Sequence, residues 1–548
     1  MTPSLAEYAG RWVALVREEV IAVGATAEAA RASAQLSQPK AQPQVVFVPE
    51  PFDYELPAIV HVVGRALPDP ARVWLVGGAV RDVILNRRVR DVDFAVDGDG
   101  LAAARAVGDS LRAPFYPLDA ERGTGRVILR AADGFTHTLD FATLRGHDLY
   151  ADLAARDFTL NAMALSLTAL DSLIDPLRGQ QDLRAKVIRA CGPAAIADDP
   201  LRGLRAVRHA AELGFTIEKA TREAIRAEAA ALARVSAERI RDEFIRCLGG
   251  PQPAASLRAL DLLGLLKHII PELTALKGVT QSPPHTLDAW EHTLAVVTRL
   301  EEVLRILGLR HDVDAASDLI LGLVAVRFGR YRQQLNDHLS ASLSSERPVR
   351  WVLMLAALLH DAAKPGTRSV EADGRIRFLD HENLSAELTQ VVMTRLRFST
   401  DEIKHARTIV ADHMRPRLLS KAGEPSSRAV YRFWRDAGAA GVDIVLLSLA
   451  DYLGKFGGSP PPQDEWAQHL AGCFKLLEAY FEKRATHVAP PALVNGDDLI
   501  SELGLKPGPK IGEVLEAIRE AQAAGEVSDR EGALRLARHV LGMNGAWR

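Results

Sequence analysis

Short apolar runs alternate with amphipathic ones over the first third of the chain, and beyond residue 195 almost only the amphipathic kind continues. Trp12–Val16 and Val20–Val23 read as strands joined by a charged turn, and Thr26–Leu36 as an Ala-rich helix that Thr26 caps. A Gln- and Pro-rich stretch, 37–43, leads to the strand Val45–Val48. Next come the strand Val73–Val76, punctuated by Gly77-Gly78, the helix Ala79–Leu85, the strand Val92–Val96 and the helix Leu101–Gly108. Val127–Arg130 and His137–Phe141 read as a hairpin around Asp133-Gly134. The Ala/Leu/Arg/Glu-rich segments 218–248, 290–308, 318–329 and 350–360 carry the helical period. The predicted class is α+β and multidomain. A small accessory α+β unit (1–50) precedes a mixed-sheet head (52–190), a helical neck (191–280), a helical domain (285–455) and a helical tail (463–548).

With 548 residues the chain is too long for one ordinary core. At 48% hydrophobic and 25% charged it has a soluble globular composition, and no stretch is read as the roughly 20 apolar residues that span a bilayer. Arg11, Arg17, Glu18 and Glu19 break any signal-peptide run. The 3 Cys, 191, 247 and 473, form no CxxC pair, which fits a reducing compartment and makes the cytoplasm the expected location. A net charge of -3 does not by itself favour a nucleic-acid partner, but Arg202, Arg205 and Arg208 recur every third residue on a predicted helix, and a local basic face is enough to hold phosphate. No feature of the sequence sets an oligomeric state.

The strongest local signal is LVGGAVRDVILNRRVRDVDFAV. Asp91 and Asp93 lie two apart on a strand, so both carboxylates face one side, where a divalent cation relieves their repulsion. Asp140, at the end of a later strand, supplies a third carboxylate and completes a two-magnesium set of the kind used in nucleotidyl transfer. Gly77 and Gly78 let backbone N–H groups approach a triphosphate, and Arg81, with Asp82 beside it to orient it, neutralises phosphate.

These residues resemble the class II tRNA nucleotidyltransferase and bacterial poly(A) polymerase family, strongly over 73–247 and in patches elsewhere. The resemblance implies a polymerase-beta-like head in which GGAVRD holds the triphosphate and Asp91 and Asp93 bind magnesium. ARDFTLNAMA (155–164) matches a family motif, which implies that Arg156, Asp157 and Asn161 contact ribose and phosphates. Ala155 stands where the family usually has Arg. In DDPLRGLRAVRHA the resemblance assigns Asp199 and Arg202 to base recognition, and Arg205 and Arg208 to support of the nucleotide or the RNA backbone. Asp199 and Arg202 are expected one turn apart on one helix. Asp175 and Asp182, in DPLRGQQDL, read as structural caps. The implied partners are the tRNA 3′ end, CTP and ATP, with CCA or partial CC or A addition. A poly(A) polymerase and a phosphohydrolase are the alternatives.

A second constellation lies in 285–455: His292 in WEHTLAVV, His360-Asp361 in LLHDAAKP, His381 in HENL, His413 in ADHMRP and Asp451 in LADYL. Imidazoles and carboxylates from several helices can converge on a divalent transition metal. The order resembles the HD phosphohydrolase superfamily. This implies His292, His360, Asp361 and Asp451 as a first ligand set, His381 and His413 beside a second ion or a phosphate, and Lys364 near substrate phosphate. The segment 493–537 resembles the nucleotidyltransferase family's tail, with Lys510 suited to an RNA phosphate.

Overall fold

The computed structural model describes residues 5–130, 134–309, 318–343 and 347–543. The chain folds as two compact units, Met1–Val235 and Ser236–Arg548.

The first unit begins with β1 (Trp12–Val16), β2 (Glu19–Gly24), α1 (Ala27–Ser37) and β3 (Gln44–Phe47). The three strands form an antiparallel sheet of order β2-β1-β3. Thr26 caps α1 as expected, its hydroxyl accepting from the Ala29 N–H at 3.1 Å. The small core beneath this sheet contains Trp12, Ala30 and Phe47, and Tyr150 and Ile174 from later in the same unit pack into it.

The main sheet draws on β4 (Glu50–Pro51), β5 (Val73–Val76), β6 (Asp91–Val96), β7 (Phe115–Asp119), β8 (Thr124–Arg130), β9 (Thr136–Thr143), β10 (Ala164–Ser166) and β11 (Ala169–Ile174). Its order is β4-β11-β10-β5-β6-β9-β8-β7. β6 and β9 run parallel, and every other pairing is antiparallel. The sheet is therefore mixed, as the sequence pattern indicated. The β8–β9 hairpin forms, but Asp133 of its predicted turn lies outside the described residues. The alternation in β6 and β9 divides two faces. Phe94 and Phe141, opposite each other in register, stack at 4.8 Å between centroids on the core side, which leaves the intervening aspartates on the other face.

Helices α2 (Ala58–Ala66), α3 (Gly78–Ile84), α4 (Gly100–Leu111), α5 (Leu149–Ala154) and α6 (Gly179–Ala185) accompany the sheet, and α7 (Ala195–Asp198), α8 (Arg202–Leu213) and α9 (Lys219–Glu228) follow it. Asp175 does cap a helix: its two oxygens accept from the Gly179 and Gln180 N–H groups at 2.6 and 2.8 Å. Asp182 instead accepts from Thr159 and Arg189. The stretch 218–248 is not one helix. It breaks through a 3-10 segment, Ala229–Arg234, and resumes at Ala237 after Ser236.

The second unit is almost wholly helical. The helices Ala289–Ile306, Val349–Leu359, His381–Arg395, Thr400–Asp412 and Gly441–Gly454 surround its core, and every residue of Gly441–Gly454 is buried. By length and composition alone, Ser427–Gly454 contains an 18-residue window with a mean hydropathy of 1.4. Its most apolar window is 89% buried inside the unit, and a 3-10 turn, Gly438–Ala440, divides it into two helices. The C-terminal helices Gly496–Leu503, Pro509–Ala523 and Arg530–Val540 bury Leu499, Val514, Ile518 and Ala537 in a core of their own. Lys510 is exposed there and pairs with Glu513.

Candidate active site

Strand register assembles the carboxylates. Asp93 on β6 lies opposite Asp140 on β9, Asp140 lies opposite Arg126 on β8, and Val76 of β5 completes the row beyond Asp93. Asp91, two residues before Asp93, shares its face. Burial pushes the Asp93 carboxyl up to about 6; Arg156 opposes this, and the charges of Asp140 and Asp91 add to it. This concentration of negative charge fits a divalent cation. Arg126 holds Asp140 with two parallel hydrogen bonds, Nε to Oδ1 at 2.7 Å and Nη2 to Oδ2 at 2.8 Å. Sequence reasoning missed Arg126, because nothing local links positions 126 and 140; only the antiparallel register does.

Gly77 ends β5 at φ +74° and ψ -141°, a conformation that excludes a side chain. A Cβ there would lie 3.2 Å from both Arg156 Nη1 and Asp93 Oδ2, so the glycine, the arginine and the carboxylate converge. Gly78 starts α3 with the Arg81 guanidinium beside it. Asp82 orients Arg81, as anticipated, accepting from Nε at 2.8 Å and Nη2 at 3.0 Å.

A buried polar chain continues from Arg81. Its Nη1 donates to Asn161 Oδ1 at 2.8 Å, and Asn161 Nδ2 donates to Asp157 Oδ1 at 3.1 Å. Asp157 Oδ2 accepts from Arg205 Nε and Nη2 at 2.9 and 2.6 Å. Burial alone would raise the Asp157 carboxyl, but Arg205 and His209, with the hydrogen bonds from Arg205 and Asn161, hold it below the usual carboxylate range. Asp157 and Asn161 are thus buried and engaged with protein groups. His209 is buried edge-on to Phe158, in keeping with a packing role, and Arg208 pairs with Glu212.

Asp199 and Arg202 do not share a helix. Asp199 has extended backbone just after α7, and α8 begins only at Arg202 because Pro200 and Leu201 turn the chain between them. Asp199 Oδ1 accepts from the Leu201 N–H at 3.3 Å. The Arg202 guanidinium donates to three carbonyls, those of Ala155 (2.8 Å), Arg156 (3.1 Å) and Ala195 (3.1 Å). It therefore pins the backbone on which Arg156 sits. Arg156 is also held by its side chain, through Nε and Nη2 to Asp152 Oδ2 at 3.0 and 2.8 Å. Asp152, four residues earlier on α5, escaped notice although its i,i+4 spacing was readable.

The poly A polymerase head domain model matches 73–189, which contains the carboxylates. The model for a probable RNA and SrmB-binding site of polymerase A matches 214–277, and one for a putative second domain of tRNA nucleotidyltransferases matches 484–537. The chain is 36% identical over 466 residues to an A-adding tRNA nucleotidyltransferase of Deinococcus radiodurans, covering 84% of this chain and 93% of the relative. The chain belongs to the tRNA nucleotidyltransferase family. It is also 33% identical to a CC-adding tRNA nucleotidyltransferase of Thermus thermophilus, covering 85% of this chain and 92% of that one. Among solved structures, a CCA-adding enzyme in complex with ATP shares the fold, with a TM-score of 0.56 at 22% identity over 89% of this chain and 95% of that one. The mixed-sheet head and helical body are the architecture of these nucleotidyltransferases.

In the helical unit of this nucleotidyltransferase the six singled-out His and Asp residues do converge, and all are buried. His292 Nε2 lies 3.1 Å from Asp451 Oδ1 and 3.4 Å from Asp361 Oδ2; His360 Nε2 lies 3.1 Å from Asp361 Oδ2, and His381 Nε2 3.3 Å from Asp361 Oδ1. Two triads have metal-ligand spacing, His292/His360/Asp451 and His360/Asp361/His413, with ligand atoms within 4.8 Å of one another. The Nδ1 atoms of His360, His381 and His413 each lie 2.7 Å from the carbonyl three residues earlier, so Nδ1 carries the proton and the Nε2 lone pair points inward. Among the described residues, His360 Nε2 and both ring nitrogens of His292 are buried and make no well-aligned hydrogen bond, the nearby carboxylates notwithstanding. Such a donor set fits a divalent cation. Burial would raise Asp361, but His360 and Lys364 outweigh it and hold the carboxyl well below the usual range. Lys364 lies 2.6 Å from Asp361, and Lys455, not anticipated from the sequence, lies 3.0 Å from Asp451.

Proposed function

We propose that this enzyme transfers nucleotidyl groups from CTP or ATP to the 3′ end of tRNA, without a template, building all or part of the CCA end. The row Asp93–Asp140 in register, with Asp91 on the same face and the Gly77 turn beside it, carries the reading. Asp91, Asp93 and Asp140 would hold magnesium, which would supply charge neutralisation at the triphosphate and a lowered pKa for the attacking hydroxyl. The remaining work falls to the protein's own groups. Gly77 lets the chain turn tightly beside Asp93. Arg81 and Arg156, each fixed by a carboxylate, present guanidinium groups to the phosphates, and ordered donors of this kind cost little reorganisation during reaction. Asp157 and Asn161 support Arg81 from below and, with Arg205 and Arg208, complete the nucleotide site. Arg202 sets the height of the 155–156 backbone, and Asp199, on the turn before α8, faces the base with it. The proposed division of labour is an accessory unit at 1–50, the transferase head at 52–190, the neck at 191–280 and an RNA-binding tail at 463–548, in a cytoplasmic enzyme.

The deciding experiment offers the protein two tRNAs, one lacking its whole CCA end and one ending in CC, with CTP, ATP or both, and sequences the products. Addition of C, of A or of both defines the enzyme as CC-adding, A-adding or CCA-adding. Growth of a homopolymer on unrelated RNA supports the poly(A) alternative, and no incorporation on any acceptor refutes the proposal.

A second reading concerns 285–455 and rests on the buried His/Asp convergence. There the domain is an HD-type site, with His292, His360, Asp361 and Asp451 holding a divalent transition metal, and His381 and His413 beside it. Metal analysis of purified protein tests it; a metal-free preparation that also takes up none on dialysis refutes it.

A further inference from the structure

We propose that the N-terminal module acts on nucleotide binding by clamping α5, with Tyr150 as the positioning residue through which it reaches Arg156. The proposal rests on the assignment of Arg156 to the nucleotide phosphates.

The module belongs to the same compact unit as the head, and its core is not closed on its own. Trp12 of β1 lies 4.8 Å from Tyr150 between ring centroids, Phe47 of β3 lies 6.4 Å from it, and Trp12 and Phe47 are 5.5 Å apart. Tyr150 is thus the third member of an aromatic cluster whose other two members come from the module. The next residues of α5 face elsewhere. Leu149 and Leu153 are buried in a core with Val76, which precedes the Gly77 turn, and Ala95, two residues after Asp93 on β6. Asp152, also buried, accepts from the Arg156 guanidinium and, at 3.1 Å, from the Arg145 N–H. A two-turn helix is marginal by itself, so its placement comes from what packs on it. One side of α5 is set by the sheet that carries Asp93, and the other by the module. The Asp152–Arg156 pair, and hence the approach of Arg156 to Gly77 and Asp93, depends on that placement. Asp148 fixes only the start of the helix, accepting from the Ala151 N–H at 2.8 Å.

The segment 144–155 that joins β9 to Arg156 is therefore held from outside, and the module tunes how rigidly it is held. The full-length enzyme with Tyr150→Ala, Tyr150→Phe, Trp12→Leu or Arg156→Ala tests this by steady-state addition to tRNA lacking its end. Tyr150→Ala and Trp12→Leu raise the KM for CTP by about tenfold, the order expected for loosening one charge-assisted contact, with little change in kcat. Tyr150→Phe keeps the ring and stays near the unmodified enzyme. In an Arg156→Ala background, Tyr150→Ala adds nothing further, because the contact it supports is already gone. An unmodified KM in a cooperatively folding Tyr150→Ala or Trp12→Leu variant overturns the proposal, as does the same tenfold increment in the Arg156→Ala background. If Tyr150→Ala fails to fold, Trp12→Leu carries the same arms. An unchanged KM in Arg156→Ala alone overturns the phosphate assignment on which the proposal rests.

Discussion

Asp157→Asn replaces one carboxylate oxygen by an NH2 group at the centre of the buried chain from Arg81 to Arg205, and the consequences follow atom by atom. Asp157 accepts from Arg205 Nε and Nη2 (2.9 and 2.6 Å), from Asn161 Nδ2 (3.1 Å) and from the Phe158 N–H (2.8 Å). An amide keeps one accepting oxygen. Turned toward Arg205, it sets its NH2 against the Phe158 N–H and Asn161 Nδ2; turned the other way, it sets NH2 against the guanidinium. Asn161 can relieve the first conflict only by flipping, which points its own NH2 at Arg81 Nη1. Replacing the anionic acceptor of each guanidinium bond by a neutral one costs about 1 kcal/mol per bond, and one buried donor left unsatisfied costs about 1–3 kcal/mol. With two Arg205 bonds weakened, the predicted loss is about 3 kcal/mol at pH 7, together with a raised KM for nucleotide through Arg81. The pH dependence has a definite sign. The folded-state carboxyl is depressed, so its contribution is present above the unfolded value of about 3.9 and is lost as pH falls through the folded one. Urea denaturation of both proteins at pH 7 and at progressively lower pH measures the difference. A variant within about 0.5 kcal/mol of the parent at pH 7, which is the scatter of an ordinary surface change, refutes the account. So does a gap that persists undiminished into acid.

Asp93→Ala abolishes nucleotide addition while the fold survives; single-turnover incorporation checks this, and a fall of less than roughly 100-fold, the scale of outer-shell changes, contradicts the assignment. Arg202→Ala releases the Ala155 and Arg156 carbonyls and weakens selection of CTP and ATP over UTP and GTP by about tenfold, the value of one directional hydrogen bond, read from competition among the four nucleotides. His360→Ala lowers bound metal from about one equivalent toward none, measured by elemental analysis, and leaves nucleotide addition intact because its ligands lie in the other unit. Asp443→Asn acts on a separate buried cluster in which His338 and His405 each lie 2.8 Å from one Asp443 oxygen. Burial opposes both shifts, but the partners outweigh it, raising His338 and lowering Asp443. The pair therefore stabilises fully between about pH 4 and 6.5, and its contribution fades as pH rises through the raised histidine value. Thermal melts across pH 6–9 should lose that slope in the variant.

The local pattern alone determined much of this enzyme. The two-residue spacing of Asp91 and Asp93 on an alternating strand placed both on one face, because strand side chains alternate whatever the strand pairs with. The helical period located the helix that carries His292 and the one that ends at His360, and the Gly77 turn was legible because few other residues tolerate that backbone. The limits of those readings lie where partners are distant in sequence. Asp140 was placed beside Asp93 correctly, but its clamp by Arg126 depends on an antiparallel register that no local signal carries. The Arg-every-third-residue pattern indicated one basic face on α8, yet tertiary contacts gave its members separate tasks: Arg202 to carbonyls of the 155–156 backbone, Arg205 to Asp157, Arg208 to Glu212. No local signal marks Tyr150, and it becomes the meeting point of module and head only when β1 and β3 bring Trp12 and Phe47 against it. Spacing along a strand or helix is set by backbone geometry and survives any tertiary arrangement. The partner of a long charged or aromatic side chain is set by which surfaces meet, and only the folded chain decides that.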